Sequence, residues 1–508
     1  MIFELSFENR GFSSRLNFFL QNILGKYEGL QYSIFEKEAG DLRLWIECDE
    51  LERLEQITQE LSEKIPQSLY LDEISSNSLP SQALPSSMPL TPIAPTSHFC
   101  PQCLNTQEGK CEVCLQEFPT LSPQASEEII EGLLQSQNIA LKTPSGVHIL
   151  SLKPSERVYC VDIEKILEIC TISKKELNAL ASYEKPIVRV KPYGEAQNNE
   201  FLSLSLAQDK ILVALFEKLK ERGVSFVYGA KSADREYDLA EVIEEGSEIV
   251  VYENEHFALL KTPYINQSLL EKFNAMQSLD KSFLSTIIAE NHLEEQNILH
   301  FYFSLKGGDK ICLYNTQTQW FNEVMSFELP KDLFSLIEGI KTLDENSQRL
   351  IENYTLKFPT LLAKNIDFSS FPQGIYGIWE IVRVVLGLQN NPLQIAQNNL
   401  DKRGVAIDYV FEKDSVILQK FNLARCIRSG MSFKMAGVED ELISLGYIES
   451  FTHLPSKLYI ALRNLVEIGG IALSGDMLSY RMIGDFLYFN NRQTSIYRNK
   501  NFPLLFER

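Results

Sequence analysis

Long apolar runs are missing from this chain. Nowhere do about 18 apolar residues follow one another, the length a bilayer-spanning helix needs, and the opening Met1-Ile2-Phe3-Glu4 has neither the basic flank nor the apolar stretch of an export signal. Neither membrane insertion nor secretion is therefore expected, and the expected compartment is the cytoplasm. Positive charge is scarce too: Lys and Arg number 48 against 68 Asp and Glu, a formal net charge of -20. No dense basic run offsets this locally, so a nucleic-acid partner is not expected. Histidine is rarer still, six in 508 residues, and no two stand four apart. That spacing is what a metal-binding histidine pair on one helix face requires. The motifs GxxxxGK(S/T), GxGxxG and GxSxG are absent as well, which removes the P-loop, dinucleotide-binding and nucleophile-elbow classes.

What is present is ordinary globular material. A hydrophobic fraction of 44% and a charged fraction of 23% allow most of the length to bury apolar surface. The length exceeds what one core usually supports and suggests about three or four domains. Nine cysteines form an odd set, and Cys48, Cys160, Cys170, Cys312 and Cys426 stand alone in strand-like or helix-like segments. Reduced, mostly buried thiols fit them better than a disulfide framework.

Along residues 1–74 the apolar period alternates between two and about 3.6, in the order βαββαβ, the arrangement of a ferredoxin-like domain. Residues 75–97 carry five prolines among serines with no periodic apolar face, the composition of a semi-extended linker. From about 135 to 265 strands and helices alternate again, including Ile139 to Lys142, Val147 to Leu152, a helix from Gln208 to Arg222 and Val224 to Tyr228. This reads as an α/β domain with a mixed sheet. Residues 290–508 open with a hairpin, Ile298 to Leu305 and Lys310 to Tyr314, around Lys306-Gly307-Gly308-Asp309. Amphipathic stretches follow at Leu333 to Leu343, Gly377 to Leu388 and Pro455 to Val466. The expected fold class is thus multidomain α/β (α+β).

The remaining cysteines fall within 98–120. Cys100-Pro-Gln-Cys103 and Cys111-Glu-Val-Cys114 form two CxxC knuckles separated by seven residues. Such a loop can close four thiolates into the tetrahedral ligand set of a structural zinc ion. Four unconnected thiols, an iron–sulfur cluster and a redox pair are the alternatives, and no βαβ unit with a CxxC at a helix start surrounds the knuckles. His98 lies just upstream and reads as an exposed linker residue.

The order of these parts, with Ile139-Ala-Leu-Lys142-Thr-Pro-Ser-Gly146-Val-His148 opening the third domain, resembles HypF, the carbamoyltransferase of nickel–iron hydrogenase maturation. The resemblance implies an acylphosphatase-like domain, a zinc module, a YrdC-like domain and a TsaD-like domain. The family's first-domain loop has the form GxVQGVxFR. Here Glu8-Asn9-Arg10-Gly11-Phe12-Ser13-Ser14-Arg15 stands in its place, with Ser13 at the arginine position and Ser33 where an asparagine is expected. Arg10 and Arg15 are the candidate substitutes.

In the YrdC-like part, Lys142 and Gly229 are the candidate nucleotide-binding residues. Gly229 matches the glycine of the family's TSGN loop and Ala230 replaces its asparagine, while Val158 to Ile172 holds a single cation, Lys165. Near the end, Ile471-Ala-Leu-Ser474-Gly475-Asp476 resembles the family's LSGG segment, with Gly475 kept as a candidate and Asp476 in place of the second glycine. Zinc through Cys100, Cys103, Cys111 and Cys114 is the cofactor implied, and ATP is not expected. The function implied is a non-catalytic accessory role in hydrogenase maturation, with maturation proteins or the hydrogenase large-subunit precursor as partners. An active carbamoyltransferase using carbamoyl phosphate and ATP, and a protein of tRNA threonylcarbamoylation, are the alternatives.

Overall fold

The computed structural model describes residues 2–506 except 39, 80–89, 96, 106–109, 118–119, 194–200, 316–317, 319 and 400–401. The chain divides into two compact units. The first takes in Met1–Tyr193, Leu202–Ile249 and Lys261–Asn266, and the second holds Val250–Leu260 and Gln267–Arg508.

The first unit begins with β1 (Ile2–Asn9), α1 (Ser13–Leu24), β2 (Gln31–Glu38), β3 (Asp41–Glu47), α2 (Leu51–Lys64) and β4 (Leu71–Leu79). The sheet order is β2-β3-β1-β4, antiparallel throughout. Strict alternation in β3 sends Leu42, Leu44 and Ile46 inward, and α1 covers them with Leu16, Phe19, Leu20 and Ile23. Each fully buried side chain of this kind contributes about 1.5–3 kcal/mol. On the opposite face Glu4 bonds Arg43 at 3.0 Å and the Trp45 indole at 2.6 Å.

The expected linker begins too early. β4 continues to Leu79 and pairs with β1 along its length, from Glu73 opposite Glu8 to Leu79 opposite Ile2. Ser75-Ser76-Asn77-Ser78 are exposed along an edge, so main-chain pairing holds them and no apolar alternation marks them. Residues 80–89 and 96 of the linker lie outside the described residues. Of the rest, Leu90 accepts from the Asn17 amide at 2.7 Å and Ile93 donates to Ser14 O at 3.1 Å, which lays this segment along α1.

The third domain also starts earlier than 135. A helix, Pro123–Leu134, is capped by Ser122, whose hydroxyl accepts the Ala125 N–H. Its Ile129, Ile130 and Leu133 share a core with Ile139, Leu141, Leu150, Tyr159 and Leu215. Seven neighbouring strands of the sheet beneath run, by residue range, 235–238, 139–143, 146–151, 226–229, 157–160, 202–205, 187–192. Two of these pairings are parallel and the rest antiparallel, the mixed sheet expected.

In the second unit the hairpin Ile298–Tyr302 and Lys310–Asn315 sits at the centre of a sheet that runs 411–413, 419–421, 320–326, 310–315, 298–302, 470–474, 496–497. The limit 265 falls between elements, but 290 cuts across one, since the helix Leu279–Asn291 spans it. Leu284, Ile287 and Ile288 of that helix pack on Ile298 and Ala472, so it belongs with this sheet. The amphipathic stretches form the helices Leu333–Lys341, Ile375–Leu386 and Leu454–Leu462, and Trp379, Tyr409 and Phe451 anchor the core between helices and sheet. No described helix is long and apolar enough to cross a membrane.

Candidate functional site

Four thiols converge in the first unit. The sulfurs of Cys100, Cys103, Cys111 and Cys114 all lie within 4.8 Å of one another, and every one of these residues is buried. Neighbouring separations are 3.6 Å for Cys100 to Cys103, 3.6 Å for Cys100 to Cys111 and 3.2 Å for Cys103 to Cys114. These are too long for disulfides, and tetrahedral Zn–S bonds of about 2.3 Å place sulfurs about 3.8 Å apart. The donor set therefore fits a structural zinc ion. The Cys103 thiol is pushed up by its hydrogen bonds with Cys100 and Cys114 and by burial, while Cys114 is pushed down by its hydrogen bonds with Cys100 and Cys103.

His98 is not an exposed linker residue. It is fully buried, with Nδ1 3.2 Å from both the Ser97 hydroxyl and the Tyr264 phenol, and its ring packs on Tyr183. Nothing in its local sequence signals this, because its partners are about 85 and 166 residues away in the chain.

The loop after β1 is closed by its own chain. Asn9 Oδ1 accepts the Phe12 N–H at 2.9 Å, and the Ser13 hydroxyl, 3.1 Å from Asn9 Oδ1, donates to Glu36 at 2.7 Å. Glu36 takes the Gly40 N–H as well, at 2.9 Å. Arg10 pairs with Asp72 at 2.9 Å and donates to Leu69 O at 2.7 Å. Arg15 lies 3.7 Å over the Tyr264 ring, 3.6 Å from Glu244, with 13% of its side chain exposed. Both arginines are thus held by protein groups, and Ser33 is buried in β2.

Lys142 and Gly229 occupy strands separated by a third, 146–151. Lys142 pairs with Asp238 at 3.3 Å in a half-exposed position. Gly229 lies so close to Arg157 that a Cβ would come within 3.0 Å of that side chain, and the Ala230 N–H is bonded to Ile149 O at 2.9 Å. Beneath them Asp209 caps the helix Lys210–Glu221 and accepts both the N–H and the hydroxyl of Ser145. Ser145 contacts His148 Nε2 at 3.0 Å, and His148 Nδ1 lies 3.2 Å from the Tyr159 phenol. Burial pushes His148 down to about 4, so it is neutral near pH 7, and the whole network is enclosed. A Ser-His-Asp set without solvent access is a core network.

In the second unit Gly475 holds φ +103, and a Cβ there would stand 2.1 Å from Phe303 O. Only glycine fits this crossing of the strand 470–474 beside the hairpin. Asp476, next along, accepts the Leu305 N–H at 2.7 Å. Asp309 accepts the Ser304 N–H at 2.7 Å with one oxygen and, with the other, the Ile375 N–H at 2.7 Å, at the start of the helix Ile375–Leu386. Gly374, at φ +124, would meet Asp309 at 2.5 Å if it carried a Cβ. Burial pushes Asp309 up to about 7, opposed by these two amides, and burial raises Asp476 as well. The glycine-rich turn, the Gly475 turn and a helix N-terminus are the kind of backbone that receives phosphate oxygens. Here Asp309 and Asp476 take the Ser304, Leu305 and Ile375 amides, and the Gly307 and Gly308 N–H groups are bonded to the backbone carbonyls of Ser304 and Gln373. His300 is buried against the Ser474 hydroxyl at 2.7 Å, and His292 is the left-handed cap of the preceding helix, so the two do not form a metal pair.

A full-length HypF crystal structure in its phosphate- and nucleotide-bound form superposes with a TM-score of 0.60, covering 99% of this chain and 96% of that one at 13% identity. The fold is that of HypF. The T. kodakarensis HypF structure agrees, with a TM-score of 0.56 over 98% of this chain and 95% of that one, at 11% identity. In sequence, Protein HydE of Wolinella succinogenes is 25% identical over 393 residues, 70% of this chain and 69% of its own length. No family model matches the sequence. The described elements thus follow one another in a HypF-like architecture.

Sequence reasoning missed Asp309 and Glu36, which look like ordinary turn and strand residues until the fold brings them to loops distant in the chain. Asp476 was legible from its neighbour Gly475. What it binds was not.

Proposed function

We propose that this chain is a HypF-like accessory protein of hydrogenase maturation that acts by binding a partner rather than by transferring a carbamoyl group. The observation that carries the reading is the occupation of anion-receiving backbone by the chain's own side chains: Asn9 on Phe12, Asp476 on Leu305, and Asp309 on Ser304 and Ile375. A phosphate would have to displace the Asn9 amide oxygen at Phe12 and a carboxylate at Ser304, Leu305 and Ile375, and near a carboxylate it is repelled. The 25% identity to Protein HydE and the HypF fold support the pathway. A maturation protein or the hydrogenase large-subunit precursor is the partner, in the cytoplasm, and zinc on the four thiolates holds the two cysteine knuckles together.

Purified protein supplied with labelled carbamoyl phosphate and ATP should show no phosphate or pyrophosphate release above a blank. A deletion strain should lose active nickel–iron hydrogenase while still making the large-subunit precursor. Turnover that scales with protein concentration and survives repurification would replace this reading with catalysis.

A further inference from the structure

Two helix ends meet in the second unit. The helix Leu454–Leu462 ends on Arg463, and the helix Arg481–Asn490 runs on into Arg492 and Gln493. With Ile460 and Phe489 they wall a concavity of about 330 Å³. Among the described residues no carboxylate lines it, in a chain whose net charge is -20. Among the described residues neither arginine has a carboxylate partner, and the Arg492 guanidinium lies 5.0 Å over the Phe489 ring. Ile460 is 53% exposed and Phe489 49%.

A cation at a helix C-terminus complements the macrodipole. That accounts for one arginine at each end but not for the exposed aromatic and aliphatic side chains on the same concavity. Two of the neighbouring polar groups are already used: Ser456 donates to Asn490 O, and the Asn490 amide donates to Thr452. The guanidinium groups remain open to a ligand. A guanidinium fork matches a carboxylate, and arginine beside an aromatic ring is the composition of an interface anchor. The arginines stand at the rim rather than in an enclosed cavity, which suits a protruding side chain.

We propose that this concavity docks an acidic segment of a partner protein. A glutamate or aspartate carboxylate is received by Arg463 and Arg492 while an adjacent apolar side chain covers Phe489 and Ile460. This site is independent of the anion-receiving loops and stands whether or not the chain catalyses.

The test uses the full chain and a fluorescein-labelled peptide alternating glutamate and leucine, followed by anisotropy at low salt. The peptide should bind, and its lysine–leucine counterpart should not. Arg463→Glu with Arg492→Glu should weaken binding about tenfold or more. Lys364→Glu with Lys413→Glu, two exposed positions giving the same net charge, should leave it within about twofold. Phe489→Ala, which keeps both cations, should weaken it as well. Absence of glutamate–leucine binding, or equal weakening by the two charge-reversal pairs, overturns the proposal. Displacement of the peptide by inorganic phosphate together with equal binding of an all-glutamate peptide would mark a plain anion site and overturns it too.

Discussion

Asp476 Oδ1 accepts the backbone N–H of Leu305 at 2.7 Å across 171 residues of sequence. The bond joins the turn after Gly475 to the loop after the first hairpin strand. If the turn is an anion-receiving site, as proposed above, the protein carries its own anion there, and the consequence is measurable.

Asp476→Gly frees the Leu305 N–H and removes a negative charge. Inorganic phosphate or ADP, which should give no heat with the wild-type chain, should give a weak but saturable signal by calorimetry with this variant. The variant should also lose about 1–3 kcal/mol of stability from the amide left without its acceptor. A calorimetric trace as flat as the wild type's, from a folded variant, would mean that the loop is not an anion-receiving site at all.

Asp309 sets a pH dependence. Its folded value, pushed up to about 7 by burial, exceeds the ordinary carboxylate value of about 3.9 in the unfolded chain. The folded state therefore binds the extra proton between those values. The stability Asp309 contributes is complete below about pH 4 and is lost as pH rises through 7, at no more than about 1.4 kcal/mol per pH unit. Other groups titrate in the same window, so the measurement is a difference. Urea unfolding of wild type and Asp309→Asn at several pH values from 4.5 to 8 (~ unit steps) should show the wild type losing ground to the variant as pH rises.

Cys103→Ser should abolish tight zinc binding. Elemental analysis of the wild type should find about one zinc per chain and no iron. The variant should bind substoichiometrically and be cleaved by protease between the linker and the helix Pro123–Leu134. A visible iron–sulfur chromophore in the wild type would refute the assignment.

Arg15→Ala should act on stability, because the guanidinium is buried between Tyr264 and Glu244. Removing one partner of a buried pair costs about 3–5 kcal/mol. Arg15→Met, which keeps the bulk over the ring, and Arg15→Ala combined with Glu244→Gln should each cost less. A variant that stays as stable as wild type but fails to support hydrogenase maturation would make Arg15 a functional group instead.

The sequence by itself determined the parts and their order. Period-two and period-3.6 apolar patterns are local properties, so the strands of 1–74, the hairpin at 298–314 and the long helices were legible. Two CxxC knuckles seven residues apart bring four sulfurs together through a short loop that any fold must respect. Tertiary structure alone decided the rest. Ser75 to Ser78 pair through their backbone on an edge, a pairing to which side chains contribute no pattern. His98 is enclosed by Tyr183, Glu244 and Tyr264, which the fold assembles from far along the chain. Asp309 and Asp476 meet their amides only once a hairpin, a glycine turn and a helix start are brought together. A hydrogen bond between residues 66 or 171 positions apart leaves no periodicity to read. Whether a loop receives a phosphate or is filled by a carboxylate of the chain is therefore decided in three dimensions.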